Sequence, residues 1–154
     1  MAGELEVAPD VAFAAWTDPE RWAGFVEGFE RVVDLDARWP ALGASVVWES
    51  VPDGRGRVTE RVAEREPGRR LVTEVSERSP GGGAPRLTGR QSLELSPVEL
   101  SAARAELRLD YEIVPGRGSP GPVTDFLFVR RALRDALRRT LERFAAETAR
   151  ETAR

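Results

Sequence analysis

From Phe29 to Ile113 one pattern dominates the chain. Apolar and polar residues alternate with a period of two, and glycine and proline interrupt the alternation at short intervals. The strand-like runs are Arg31–Ala37, Ser45–Val51, Arg57–Arg65, Leu71–Ser76, Leu87–Leu95 and Ala103–Ile113. Between them stand WPALG, PDGRG, EPGR, SPGGGAP and SPVELS, all turn-forming compositions. A parallel crossover needs a dozen or more residues, so connectors this short predict an antiparallel meander.

The flanks are helical. Glu4 to Val7 alternates and predicts a short opening strand, after which Pro9 stands where a first helical turn would begin. Val11, Ala12, Ala15 and Trp16 follow at helical spacing. In Thr17-Asp18-Pro19-Glu20 either Asp18 or Thr17 can cap a second short helix, Arg21 to Val26, which carries Trp22 and Phe25. After PGRGSPGP (115–122) a long helix is expected from about Val123 to Glu147. Phe126, Leu127, Leu133, Leu137, Leu141 and Phe144 form its apolar stripe. At ~1.5 Å per residue it would be roughly 35 Å long and cross the whole sheet. The repeated tetrads of ETARETAR are expected to fray, leaving one domain over 1–147 and a tail over 148–154.

This order of elements resembles the START-like helix-grip superfamily, particularly its polyketide cyclase/dehydrase branch. The residues carrying the likeness are VAPDVAFAAWTDPERWAGFVEGFERV (7–32), GASVVWES (43–50), GRVTERVAEREPGRRLV (56–72) and RRALRDALRRTLERF (130–144). The likeness covers nearly the whole chain. It implies an α+β helix-grip fold: a curved antiparallel sheet of about seven strands, two short helices after the first strand, and a long C-terminal helix closing a cavity. Members of the superfamily share a cavity and no common catalytic motif, so the resemblance implies no catalytic residue.

In a meander, alternate connections lie at the same end of the sheet. PDGRG, SPGGGAP and PGRGSPGP therefore share one end, where their glycines and prolines form the expected rim of a pocket. Arg55, Arg57, Arg86 and Arg117 decorate that end, as solvated surface or as partners for an anionic ligand.

Strand parity assigns the interior. Ala105, Leu107, Leu109, Tyr111 and Ile113 share the core face of their strand, with charged residues between them. Leu87, Gly89, Gln91, Leu93 and Leu95 point the same way, as do Leu71, Thr73 and Val75. The 45–65 hairpin has two readings. A five-residue loop pairs Val51 with Arg57 and places Val46, Trp48, Ser50, Val58, Glu60 and Val62 on one face. A two-residue turn puts Trp48 outside. Burial of Trp48 favours the first, which also gathers Glu49, Arg57 and Arg61 outside.

The expected pocket is lined by Trp48, Glu60, Thr73, Gln91, Leu107, Leu109, Tyr111 and Phe126, apolar walls with a few orienting polar groups. Glu60 lies between Val58 and Val62, where burial disfavours the charged carboxylate and suits it to proton transfer. Glu60 and Tyr111 are thus the candidate acid/base pair. The alternative places Glu60 against an arginine at the sheet edge and Tyr111 in the core with its hydroxyl at the rim. Trp16, Trp22 and Phe25 are read as packing the short helices, and Trp39 as covering the closed end.

The 154 residues contain neither histidine nor cysteine, which removes Ser-His and Cys-His dyads, thiolate chemistry and the usual metal ligands. No metal and no cofactor are expected. The net charge of −3 argues against nucleic acid as a partner. MAGELEVAPD lacks the features of a secretory signal, and no apolar run reaches membrane-spanning length, so a cytoplasmic monomer or homodimer is the expectation. Three functions fit. The first is a binder of a hydrophobic or aromatic small molecule. The second is a cyclase/dehydratase-like enzyme using Glu60 and Tyr111. The third is a protein-interaction module of the chaperone-cofactor kind, which would need an exposed apolar patch.

Overall fold

The alternation resolves into a single seven-stranded sheet in a computed structural model that describes residues 1–52, 54–79, 83–114 and 122–153. Side chains of the final helix are described from Leu127 onward. The strands are β1 (Ala2–Leu5), β2 (Phe29–Leu35), β3 (Ser45–Ser50), β4 (Arg57–Glu66), β5 (Arg70–Arg78), β6 (Leu87–Glu99) and β7 (Ala102–Ile113). Their order across the sheet is β1-β7-β6-β5-β4-β3-β2, antiparallel throughout. This is the expected meander, with the first strand closing onto the last. Between β1 and β2 lie α1 (Pro9–Trp16) and α2 (Trp22–Phe25), and α3 (Pro122–Thr152) ends the fold.

Local chemistry explains the helix boundaries. Pro9 opens α1 with Asp10 in its first turn. Thr17 ends the helix by returning its hydroxyl to the Phe13 carbonyl at 2.9 Å. Asp18 is the cap: its Oδ1 accepts the Glu20 amide at 3.0 Å and starts a 3-10 turn that leads into α2.

The 45–66 hairpin keeps the expected faces but shifts register by two residues. Glu49, not Val51, pairs with Arg57, and Val46, Trp48, Val58, Glu60 and Val62 are all buried. A shift of two preserves every side-chain direction, whereas a shift of one would have reversed them. Ser50 and Gly56 close the loop. Ser50 N donates to the Gly56 carbonyl at 2.9 Å, and Gly56 N donates back to Ser50 Oγ at 2.8 Å. Outside, the Glu49 carboxylate joins three strands, accepting from Arg57 on β4 at 2.6 Å and from Arg31 on β2 at 2.7 Å. These hydrogen bonds, Arg57 first, hold its carboxyl below the ordinary value.

One connector and the C-terminal tail differ from expectation. SPVELS is not a loop, because β6 continues to Glu99 with a bulge between Pro97 and Glu99. Pro97 is tolerated because β5 pairs with β6 only as far as Glu94, so the missing N–H falls where β6 has become an edge. The tail after Glu147 is helical to Thr152 rather than frayed. Thr148 is fully buried, and Thr152 Oγ1 donates to the Glu6 carbonyl at 3.1 Å.

The core fills the space between the inner sheet face and the helices. Val46, Trp48, Val58, Val62, Leu71, Val75, Leu93, Ala105 and Leu107 line the sheet side. Trp16 stacks on Phe25 at 5.4 Å and meets Phe144 of α3 edge-on at 5.1 Å. The stripe on α3 is shorter than expected. Leu133, Leu141 and Phe144 are buried and Leu137 partly so, but Leu127 is 59% exposed and its neighbour Phe128 is 77% exposed. At ~100° per residue Leu127 lies roughly 100° from the centre of the buried stripe, which explains its exclusion. Phe126 falls outside the described side chains. Among the described residues no helix is long and apolar enough to cross a membrane.

Candidate functional site

Polar side chains converge at one place on the inner face. Trp48, fully buried on β3, donates its indole Nε1 to Glu60 Oε1 on β4 at 3.1 Å. Thr73 on β5 donates its hydroxyl to Glu60 Oε2 at 3.0 Å. Glu60 is 7% exposed, and among the described residues both its bonds come from neutral donors. Among the described residues no arginine answers Glu60.

Arg55 reaches the same place from the β3–β4 loop. Its guanidinium lies 5.5 Å from the centre of the Trp48 ring and pairs with Glu77 of β5, which is itself buried. So one of the arginines expected at the rim points inward. Of the others, Arg57 is bound to Glu49 on the outer face, Arg86 Nη2 donates to the Arg55 carbonyl at 3.2 Å, and Arg117 is outside the described residues.

Around this cluster a small cavity lies between sheet and helices, with Trp16, Trp22, Trp48 and Leu109 as apolar wall and Arg55, Glu60 and Gln91 as polar wall. Leu133, Leu137 and Thr140 of α3 close it, and Glu27 stands at its side. Thr140 Oγ1 accepts the Glu27 amide at 2.9 Å, and the Glu27 carboxylate pairs with Arg139 at 3.2 Å and Arg143 at 2.7 Å. The free volume is about 20 Å3. That is room for about one water, whereas small-molecule sites run to ~300–1,000 Å3. The ligand-sized pocket expected from the sequence is thus closed down in this conformation.

The predicted lining residues divide into groups. Trp48, Glu60, Gln91 and Leu109 face the cavity. Thr73 stands behind Glu60 as its hydrogen-bond donor, and Leu107 is buried in the core. Tyr111 is not brought to Glu60. The registers place Glu60, Val75, Gly89 and Tyr111 in one row across β4, β5, β6 and β7, so three interstrand spacings, roughly 14 Å, separate the two backbones. Tyr111 borders a groove with Thr88, Gly89, Asp110 and Glu112 instead. The residues missed are Glu77, Glu27 and Thr140. Glu77 was within reach of the pattern, because it continues the Thr73–Val75 parity by one step. Trp16 and Trp22 were read as packing only; they do pack, and they also wall the cavity. Trp39 covers this side, donating its Nε1 to the Thr17 carbonyl at 2.9 Å and meeting Trp22 edge-on at 5.9 Å.

A curved antiparallel sheet with one long helix drawn across a polar-lined interior is the helix-grip arrangement. The chain belongs to the polyketide cyclase/dehydrase and lipid transport family, whose pattern matches residues 3–149. Among solved structures it is similar to the Zhui aromatase/cyclase from a Streptomyces species, at 14% identity and a TM-score of 0.78, covering 99% of this chain and 93% of that one. It is also similar to a START superfamily protein from Mycobacterium smegmatis, at 12% identity and 0.65, covering 96% and 95%. A conserved protein from Geobacillus kaustophilus matches at 10% identity and 0.68, covering 97% and 93%. At these identities the likeness is one of fold. No curated protein matches the chain.

Proposed function

We propose that this protein binds a hydrophobic or aromatic small molecule between the inner sheet face and α3. The observation that carries the reading is the convergence of three indoles, Trp16, Trp22 and Trp48, with the hydrogen-bonded Glu60 at a seam the core does not fill. Core packing alone does not call for a buried carboxylate there, since burying one costs free energy that an apolar residue would not incur. Orientation of a ligand donor group gives Glu60 a purpose. Entry requires the cavity to widen, and the Leu133–Thr140 stretch of α3 and the Arg55 loop are elements that border it.

A cyclase-like enzyme is the second reading, favoured by the similarity to the Streptomyces aromatase/cyclase. It keeps Glu60 as its only proton-transfer candidate, because Tyr111 stands three strands away.

The test is tryptophan fluorescence titration with a neutral naphthyl ligand such as naphthylmethanol, since three of the four tryptophans wall the cavity. Saturable quenching is expected, and Ala136→Trp, which fills the space beside Leu133 and Leu137, should weaken it about tenfold or more. Equal affinity in the filled variant would remove the cavity from the function.

A further inference from the structure

The cavity already holds a cationic group, and the protein supplies it. Arg55 forms part of the polar wall but is carried by no strand. It enters from a loop whose backbone is fixed by the Ser50–Gly56 bridge and by Arg86, while its side chain is held by the Glu77 carboxylate and the Trp48 face. The guanidinium can therefore leave without unfolding the hairpin that carries it.

The charges around it are unequal. Among the described residues three carboxylates stand at this end of the interior. Glu27 is answered by Arg139 and Arg143, and Glu77 by Arg55. Glu60 is met by Trp48 and Thr73 alone among the described residues, and each of its oxygens accepts a single bond, leaving acceptor capacity on both. Glu60 lies at the edge of the Trp48 indole and the guanidinium over its face, so both border one spot. An anionic ligand would set a second negative charge against an arginine that already has one. A ligand cation entering the cavity beside the indole can take over Glu77 and the indole face and, not being tethered to the loop, can also reach Glu60, which borders the same cavity.

We infer that the corner formed by Trp48, Glu60 and Glu77 is a cation subsite, and that the apolar ligand of this cavity carries a basic nitrogen that displaces the Arg55 guanidinium. This rests on the cavity reading above.

The test compares naphthylmethylamine, naphthylmethanol and naphthoate by calorimetric titration at neutral pH, on the wild-type chain and on Arg55→Ala. Removing the internal competitor should tighten the amine about tenfold, while the alcohol gains less than about threefold from the added space. Naphthoate should bind weakest to both proteins. Two results overturn the inference while leaving the cavity reading intact. One is naphthoate binding the wild type best and losing affinity in Arg55→Ala, which would make Arg55 the receptor of an anionic ligand. The other is an amine gain no larger than that of the alcohol. Failure of all three probes in both proteins would instead refute the cavity reading. If Arg55→Ala does not fold, Arg55→Gln keeps a neutral hydrogen-bond donor beside Glu77 and is held to the same criteria.

Discussion

Thr73→Val isolates the hydrogen bond that holds Glu60 in place. The hydroxyl of Thr73 is buried with the rest of its side chain and donates to Glu60 Oε2 at 3.0 Å. Valine has nearly the same shape, so the substitution removes the donor and leaves the packing almost unaltered. What remains is a carboxylate oxygen, on a residue only 7% exposed, that has lost its partner. Hydrogen bonds to charged groups contribute about 1.5–3 kcal/mol, and a buried acceptor left unpaired costs a similar amount. A loss of roughly 2 kcal/mol in a chain of this size lowers Tm by about 4–8 °C. The measurement is urea denaturation at pH 7 followed by fluorescence, carried out as a cycle with Glu60→Leu. In the Glu60→Leu background the Thr73 hydroxyl has no carboxylate to serve, so Thr73→Val should become nearly neutral there. The reasoning fails if Thr73→Val lies within about 0.3 kcal/mol of the wild type, or if its cost is the same with and without Glu60.

Further outcomes follow from other parts of the fold. Gly56 has φ of +80°, and a Cβ on it would collide with the Arg78 carbonyl, so Gly56→Ala should lose at least about 2 kcal/mol by urea denaturation. A loss under about 0.5 kcal/mol would mean that the loop has another conformation. Removing residues 148–154 should cost about 1–3 kcal/mol, because it deletes the buried Thr148 and the Thr152–Glu6 bond; an unchanged Tm would show those residues to be a loose end. Glu49→Gln should speed hydrogen exchange in β2 at pH 7, because Glu49 ties Arg31 of that strand to β4. Its folded value lies below the ordinary 4.5, so the contribution is complete above that pH and disappears as pH falls through the lower folded value. An exchange difference that stays constant however far the pH is lowered while the protein remains folded would exclude the carboxylate as its cause.

How much of this was legible in the sequence depended on whether a residue's direction is set by parity or by partners. β7 was plain, because every second residue from Arg104 to Glu112 is charged and only one face can be buried. Trp48 and Glu60 were readable for a subtler reason: the hairpin register was off by two, and an even shift leaves faces alone. Arg55 was not legible as an inward residue. A loop has no period, and the carboxylate that draws it inside sits twenty-two residues further along the chain. Glu77 was missed because its strand was ended at Ser76, one residue short of the next inward position, although β5 runs on to Arg78. Tyr111 was assigned to the right face and to the wrong neighbourhood, since parity orders residues along a strand and is silent about distance across the sheet. Leu127 shows the limit of listing apolar residues at near-helical spacing without tracking the angle of each from the stripe.

The long helix has the mechanics of a lever clamped at one end. Its second half is gripped by Leu141, Phe144, Thr148 and Thr152 and by the Thr140–Glu27 bond, while Leu127 and Phe128 already stand in water. From Thr140 to Phe128 is about 18 Å of arm at ~1.5 Å per residue. A tilt of about 10° around Thr140 therefore swings the free end by about 3 Å, nearly the diameter of a water molecule. The tip of that arm, Leu127 and Phe128, is already in water, so the apolar contacts such a tilt would loosen are those of Leu133 and Leu137, which close the cavity. The residues that close the cavity, Leu133 and Leu137, thus sit on the arm between the clamp and the exposed tip, where any widening of the cavity has to be made.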